Sequence, residues 1–191
     1  MKFFTSDTHF GHNNIIDYCK RPFHDIDDMN DQLIENINRV VSVTDELFHL
    51  GDFAFGGGKP GDFREKINCE NIHLIMGNHD PHKNDGSPTD ALAEWFASIR
   101  SMATVKLVAD HGLTTAKAHL CHYPIESWRG KNNGYIHLHG HTHGLLDSGG
   151  IWRMDVGVDG SVTHRRHRDA TDYRPYSEQE IITKITQKGI V

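Results

Sequence analysis

The chain repeats one local pattern: a short apolar run, then a turn carrying acidic or imidazole side chains. Asp7-Thr8-His9 follows Lys2–Ser6, Gly51-Asp52 follows Leu47–Leu50, Gly77-Asn78-His79-Asp80 follows Ile72–Met76, and His122 follows Thr115–Cys121. A last motif, Gly140-His141-Thr142-His143, breaks the run Tyr135–His139. Short apolar runs closed by glycine or polar turns read as buried strands. Side chains at their ends can converge on one sheet edge. Carboxylates, imidazoles and one amide make up the donor set of a two-metal hydrolytic centre.

Between these strands the hydrophobic period changes. Asp27 to Val43 places Met29, Leu33, Ile37, Val40 and Val41 at helical spacing, with Asp27 as the N-cap. Phe63–Ile67 reads as a short helix and Thr89–Ile99 as a longer one. Gly56–Gly61 and Pro81–Pro88 read as loops. The glycine-rich one lacks the spacing and the following Ser or Thr of a P-loop.

Thr104–Val108, Thr115–Cys121, Tyr135–His139 and Ile151–Val158 read as further strands. Ser177-Glu178-Gln179-Glu180 is a capping box opening a last helix, with Ile181, Ile182 and Ile185 inward and Gly189 past its end. Early strands alternate with helices and later ones cluster, which predicts an α/β protein with a hairpin-like sheet in its second half. With 191 residues, no repeat and no dividing linker, residues 1–191 read as one domain.

Composition narrows the partners. A net charge of -6 argues against a long nucleic acid, whose binders release counterions from basic surfaces. No apolar stretch reaches membrane-spanning length, and Met1–Thr5 is too short for a signal peptide, so a cytoplasmic protein is expected. Cys19, Cys69 and Cys121 are odd in number and widely spaced, which fits reduced thiols rather than a disulfide framework. Cys121 neighbours His122 but faces the other way on a strand, toward the core. The 16 histidines are an excess that points to a site, since imidazole is the commonest metal ligand.

Residues two apart on a strand point alike, so Asp7 and His9 present two donors together. Asp52 leaves its strand through a glycine turn, and a carboxylate there can bridge two cations. Asn78 adds an uncharged oxygen, and His122, His141 and His143 complete the shells. In order and spelling these motifs resemble the calcineurin-like metallophosphoesterases. The flanking strings Ser6-Asp7-Thr8-His9-Phe10-Gly11-His12, Ser127-Trp128, His137-Leu138-His139 and Asp155-Val156-Gly157-Val158-Asp159 are similar to those of a small bacterial and phage subgroup. The motifs span residues 7 to 143, and the likeness runs to about Ile182.

The resemblance implies a four-layer α/β/β/α sandwich of two mixed sheets, with the metals at the strand C-terminal edge. It assigns Asp7, His9, Asp52 and His143 to a first metal. Asp52, as a bridge, joins Asn78, His122 and His141 around a second. It further implies a bridging hydroxide attacking phosphorus in line, with His79 stabilising the transition state or protonating the leaving oxygen. Manganese is the first expectation for the two divalent ions, with iron, zinc and nickel also admitted by the ligand set.

One departure is informative. Phosphoprotein phosphatases of this family follow Gly-Asp with an Asp-Arg pair and end the third motif in Glu. Here Phe53-Ala54-Phe55-Gly56 follows Asp52, and the motif ends in Asp80. No partner is thereby assigned to orient His79, and a guanidinium clamp suited to a monoester dianion is missing. The expected activity is a phosphodiesterase on small phosphate-ester or nucleotide substrates. A phosphomonoesterase or nuclease with the same site is the alternative. A non-catalytic scaffold is disfavoured because every ligand and His79 are present.

Outside the motifs, His12, Trp128 and Arg166 are candidate substrate contacts. His12 lies one turn beyond His9, Trp128 offers either a stacking surface for a base or a cover for its loop's own apolar underside, and Arg166 belongs to the basic run His164–Arg168, read first as a solvated loop and second as an anion-binding flap. His137 and His139 are expected to pack or to hydrogen-bond behind the ligands. His24, His49, His73, His82, His111 and His119 read as structural or exposed.

Overall fold

The computed structural model describes residues 1–109, 112, 114–146, 152–160 and 173–187. In chain order the elements are β1 (Lys2–Thr5), α1 (Asn14–Cys19), α2 (Ile26–Val40), β2 (Glu46–His49), α3 (Pro60–Arg64), β3 (Asn71–Ile75) and α4 (Asp90–Ala93). They continue with β4 (Ser98–Arg100), β5 (Met102–Ala109), β6 (Thr114–Cys121), β7 (Ile136–His139), β8 (Arg153–Asp155), β9 (Tyr176–Ser177) and α5 (Glu178–Gln187). The strands form two mixed sheets, ordered β4-β3-β2-β1-β9 and β5-β6-β7-β8. In the first, only β9 runs antiparallel; in the second, β5 and β6 form a hairpin while β6, β7 and β8 are parallel.

The hairpin-like second half is therefore limited to β5–β6. Its other strands are joined by connections long enough for a parallel crossover. Parallel pairing has a consequence for chemistry. It sends the C-terminal ends of β1, β2 and β3 to one edge, where Asp7, Asp52 and Asn78 follow them.

Alternation along the strands separates two apolar layers. Phe3, Leu47, Ile72 and Leu74 face α2, packing on Met29, Leu33 and Ile37. Their neighbours Phe4, Phe48 and Ile75 face the second sheet, packing with Leu107, Ala118, Leu120 and Leu138 and with Ile181, Ile182 and Ile185 of α5. The result is an α/β sandwich of two mixed sheets flanked by helices, as expected.

Several boundaries differ from the sequence reading. Asp25, not Asp27, caps α2: its Oδ1 accepts from the Asp28 N–H at 2.9 Å, so Asp27 and Asp28 fall in the first turn, where carboxylates suit the helix dipole. The short helix moves from Phe63–Ile67 to Pro60–Arg64, with proline in its first turn. The expected helix Thr89–Ile99 is one turn, Asp90–Ala93, followed by the strand Ser98–Arg100, which pairs with His73–Ile75. Pairing overrides the local pattern there.

Helix α1 was not expected, since only Ile15 of its six residues is buried and the apolar stripe is too short to read. Gly189, His111, Arg166 and the whole His164–Arg168 run lie outside the described residues. No helix among the described residues is long and apolar enough to cross a membrane.

Candidate metal centre

Backbone geometry marks the site before any side chain is considered. The described non-glycine residues with positive φ are Asp7 (57°), His9 (52°), Asp52 (55°), His141 (68°), His143 (48°) and Lys20 (52°). All but Lys20 are candidate ligands. An L-residue in the left-handed region costs roughly 1–2 kcal/mol, so such a concentration persists only where the surroundings impose it.

Hydrogen bonds between the motifs impose it. The N–H groups of Asp7 and His9 donate to the carbonyls of Gly51 and Asp52, each at 3.0 Å. The Asp80 carboxylate accepts from the N–H groups of Asp52 (2.9 Å), Phe53 (3.0 Å) and Gly77 (2.8 Å). Asp52 Oδ1 accepts from the His79 N–H at 2.9 Å, and the Asp7 carboxylate accepts from the His141 N–H at 3.0 and 3.1 Å. Two glycines permit this closeness. A Cβ on Gly77 would meet Asp52 Oδ1, and one on Gly140 would meet Ser6 Oγ and the Asp7 carboxylate.

The side chains gather into two groups, Asp7–His9–His143 and Asp52–His122–His141, with the donor atoms of each group within 4.8 Å of one another. Asp52 Oδ2 lies 3.5 Å from His9 Nε2 and 3.5 Å from His122 Nε2. Asn78 Oδ1 lies 3.1 Å from His122 Nε2 and 3.0 Å from His141 Nδ1. The structure thus brings together all seven residues expected as ligands.

Two details fit a cation rather than a closed hydrogen-bond network. His9 is 2 % exposed, yet neither of its ring nitrogens has a hydrogen-bond partner. His122 Nδ1 donates to the Leu50 carbonyl at 2.7 Å, and burial, ahead of its charged neighbours, holds the ring's pKa below the usual value. Its Nε2 is then a bare lone pair facing the Asn78 and Asp52 oxygens. A cation would satisfy these three atoms together.

Electrostatics at the first group agree. Burial, reinforced by Arg21, His143, His79 and His12, lowers the His9 pKa to about 2, leaving the neutral imidazole that ligates metals. Burial raises the Asp7 carboxyl well above its usual range, against the pull of His143. At His143 burial opposes the charge, but the hydrogen bond to Asp159, with Cys19 and Asp7 beside it, lifts the pKa to about 11. A proton and a cation compete for this ring.

Residues outside the expected set hold these ligands. His143 Nδ1 donates to Asp159 Oδ2 at 2.8 Å, aiming Nε2 at the site. Buried Arg21 grips both Asp159 oxygens, at 3.1 and 2.6 Å, and donates to the carbonyls of Thr8 and Asp7. Asp155 Oδ2 accepts from Thr142 Oγ1 at 2.7 Å and the Gly144 N–H at 2.9 Å. Both aspartates stand in the flanking string noted in the sequence. Arg21 carried no local signal.

The other expectations fare unevenly. The His79 ring lies 5.4 Å from His9 and 4.3 Å from Phe55, and His12 lies 5.6 Å from His9, so both border the first group. Trp128 faces its own loop rather than solvent. It is 6 % exposed, donates from Nε1 to the Tyr135 carbonyl at 2.8 Å and packs on His137, because its loop needs an apolar underside.

His137 sits between the carbonyls of His119 and Tyr123, and His139 Nδ1 donates to that of Gly140. Cys121 is buried. The glycine loop borders a cavity of about 570 Å³ whose charged lining is Asp27, Asp31, Asp62 and Lys66, an acidic balance that disfavours phosphate.

A two-sheet sandwich with nitrogen and oxygen donors gathered at its strand ends fits a metal-dependent hydrolase. The chain belongs to the calcineurin-like phosphoesterase superfamily, whose domain matches residues 1–173. It is therefore a metal-dependent phosphoesterase.

It is 33% identical over 190 residues to an uncharacterised protein of Methanocaldococcus jannaschii, covering 97% of this chain and 91% of that one. The Gene 66 protein of Mycobacterium phage L5 is 28% identical over 187 residues, covering 82% of this chain and 85% of the phage protein. The crystal structure of a protein of unknown function from Aquifex aeolicus superposes with a TM-score of 0.67 at 24% identity. That match covers 97% of this chain and 99% of that one, a likeness of fold.

Proposed function

We propose that this protein is a dinuclear phosphodiesterase acting on small or nucleotide substrates in the cytoplasm. The observation that carries the dinuclear part is the position of Asp52 Oδ2, at 3.5 Å from an imidazole nitrogen of each ligand group. Asp7, His9 and His143 would hold one ion and Asn78, His122 and His141 the other, with Asp52 within reach of both groups. Divalent cations held there would supply Lewis-acid charge at phosphorus and lower the pKa of a nearby water.

The chain's own residues do the rest. Asp159 and Leu50 fix the tautomers of His143 and His122. The His79 backbone is tied to Asp52, which places its ring at the rim of the first group. There it donates a proton to the departing ester oxygen as the P–O bond breaks.

The diester preference rests on charge. A monoester dianion favours a guanidinium clamp, but Phe53-Ala54-Phe55 follows Asp52, and the donors of buried Arg21 are taken by Asp159, Asp7 and Thr8. The acidic balance of -6 supports a small substrate over a long nucleic acid.

Two measurements test this reading. Metal analysis after Mn²⁺ loading should give about two ions per chain. His79→Ala should keep them while turnover falls on the order of 10²–10⁴-fold, and Asp52→Asn should lose occupancy. A single ion at full activity, or an undiminished Asp52→Asn, defeats the dinuclear assignment. In parallel assays, p-nitrophenyl phosphate should be a poorer substrate than its bis ester or cyclic nucleotides. Strong monoester preference reverses the diesterase assignment.

A further inference from the structure

Aromatic side chains stand exposed beside both ligand groups. Phe55 is 39 % exposed, Tyr18 72 % and Tyr123 43 %, large values for rings in a folded protein. The Phe55 ring lies 4.3 Å from that of His79 and 4.9 Å from that of His12, and Tyr18 continues the patch 6.2 Å from His12. Tyr123 lies 4.9 Å from His141 and 5.0 Å from His122. One patch borders the Asp7–His9–His143 group and the other borders Asp52–His122–His141.

Neither ring is placed by accident of a mobile loop. The Phe55 N–H donates to the Phe10 carbonyl at 2.9 Å, extending the ladder between the first two motifs. Tyr123 follows directly on the ligand His122, at the exit of β6. Both faces are therefore held in register with the ligands.

A phosphodiester presents two substituents on one phosphorus. With the phosphorus between the ligand groups, one substituent extends toward His79 and Phe55 and the other toward His141 and Tyr123. Exposed rings at both ends suit planar groups, because an aromatic face stacks on any base without reading its hydrogen bonds. An alkyl ester would leave both rings wet.

We infer that the substrate is a phosphodiester carrying nucleobase or aryl groups, with Phe55 stacking on the substituent that departs and Tyr123 on the substituent that stays with phosphorus. The inference rests on the phosphodiesterase reading above and names the substrate class for the same site.

The test uses the full chain loaded with Mn²⁺ and three diesters that all release p-nitrophenolate: bis(p-nitrophenyl) phosphate, thymidine 5′-p-nitrophenyl phosphate and methyl p-nitrophenyl phosphate. They differ only in the retained group. The aryl and thymidine esters should show KM values at least about five-fold below that of the methyl ester, in line with one stacked ring. Tyr123→Leu should bring that ratio toward unity, while Tyr123→Phe, which keeps the ring, should preserve it. Phe55→Leu should raise KM for all three together, since they share the aryl leaving group.

A ratio unchanged in a folded Tyr123→Leu, or no preference in the parent protein, overturns the inference and leaves the phosphodiesterase reading standing. Hydrolysis of p-nitrophenyl phosphate with no turnover of any diester overturns that reading, and the inference with it.

Discussion

At the scale of single residues, the least conspicuous carboxylate has the widest reach. Asp80 is 1 % exposed and binds no other side chain in its motif, yet its two oxygens accept the N–H groups of Asp52, Phe53 and Gly77. It joins the second motif to the third and holds Asp52 in its positive-φ conformation. Asp80→Ala strands the buried N–H groups of Asp52 and Phe53 at about 1–3 kcal/mol each, and the half-buried one of Gly77. We expect urea unfolding to show a loss of at least ~2 kcal/mol, with a smaller loss for Asp80→Asn, which keeps one acceptor oxygen. Equal stability of Asp80→Ala and the parent would remove the carboxylate from this role. Asp80 was visible in the sequence as the end of Gly-Asn-His-Asp, but its reach was not, because two of its three partners are the backbone N–H groups of Asp52 and Phe53, 28 and 27 residues away.

At the scale of elements, strand ends and caps explain most of what could be read from local pattern. The capping box is the clearest case. The Ser177 N–H donates to Glu180 Oε2 at 2.9 Å, the Glu180 N–H donates back to Ser177 Oγ at 3.2 Å, and Arg174 adds an ion pair at 2.6 Å. Burial opposes the Glu180 charge, but Arg174 and Ser177 outweigh it and lower the pKa from an ordinary 4.5 to about 2.

A depressed carboxylate pKa stabilises the fold above the ordinary value and loses that contribution as pH falls through the lowered one. Glu180→Ala should therefore cost about 1 kcal/mol at neutral pH. In denaturant melts, the gap between parent and variant should close between pH 4.5 and about 2. A gap that persists at the acid end argues against the ionised box. Periodicity failed at Thr89–Ile99, where three residues joined an existing sheet edge. It failed also at α1, which buries too little to leave a stripe. At Ser98–Arg100 a distant partner, absent from any local window, set the outcome.

At the scale of the whole molecule, the sandwich stores conformational cost at the edge of the candidate site, and bound cations would offset it. Five candidate ligands hold positive φ, and neither ring nitrogen of buried His9 has a hydrogen-bond partner. Ions that bind only this arrangement stabilise it by mass action, about 2.7 kcal/mol at a hundred-fold excess over Kd. For a chain of this length that corresponds to a rise in Tm of roughly 5–10 °C. A chelator should reverse it, and Asp52→Asn should show little of it. Identical melting with and without Mn²⁺ would sink the linkage between site and fold.

The order of the motifs, the residue types at their tips and the alternation of the strands before them are properties of the chain read in one direction. From these the donor set, the α/β class and the family likeness were already legible. The pairing was not: parallel strands brought Asp7, Asp52 and Asn78 to one edge, and packing of the second sheet carried His122, His141 and His143 to meet them. Arg21, Asp159 and Asp80 entered for the same reason. Their contacts join segments far apart in sequence, and only a packed fold gives such contacts a fixed distance. Trp128 shows the converse. An aromatic in a polar loop can face a ligand or its own chain, and only the space beneath that loop decided which.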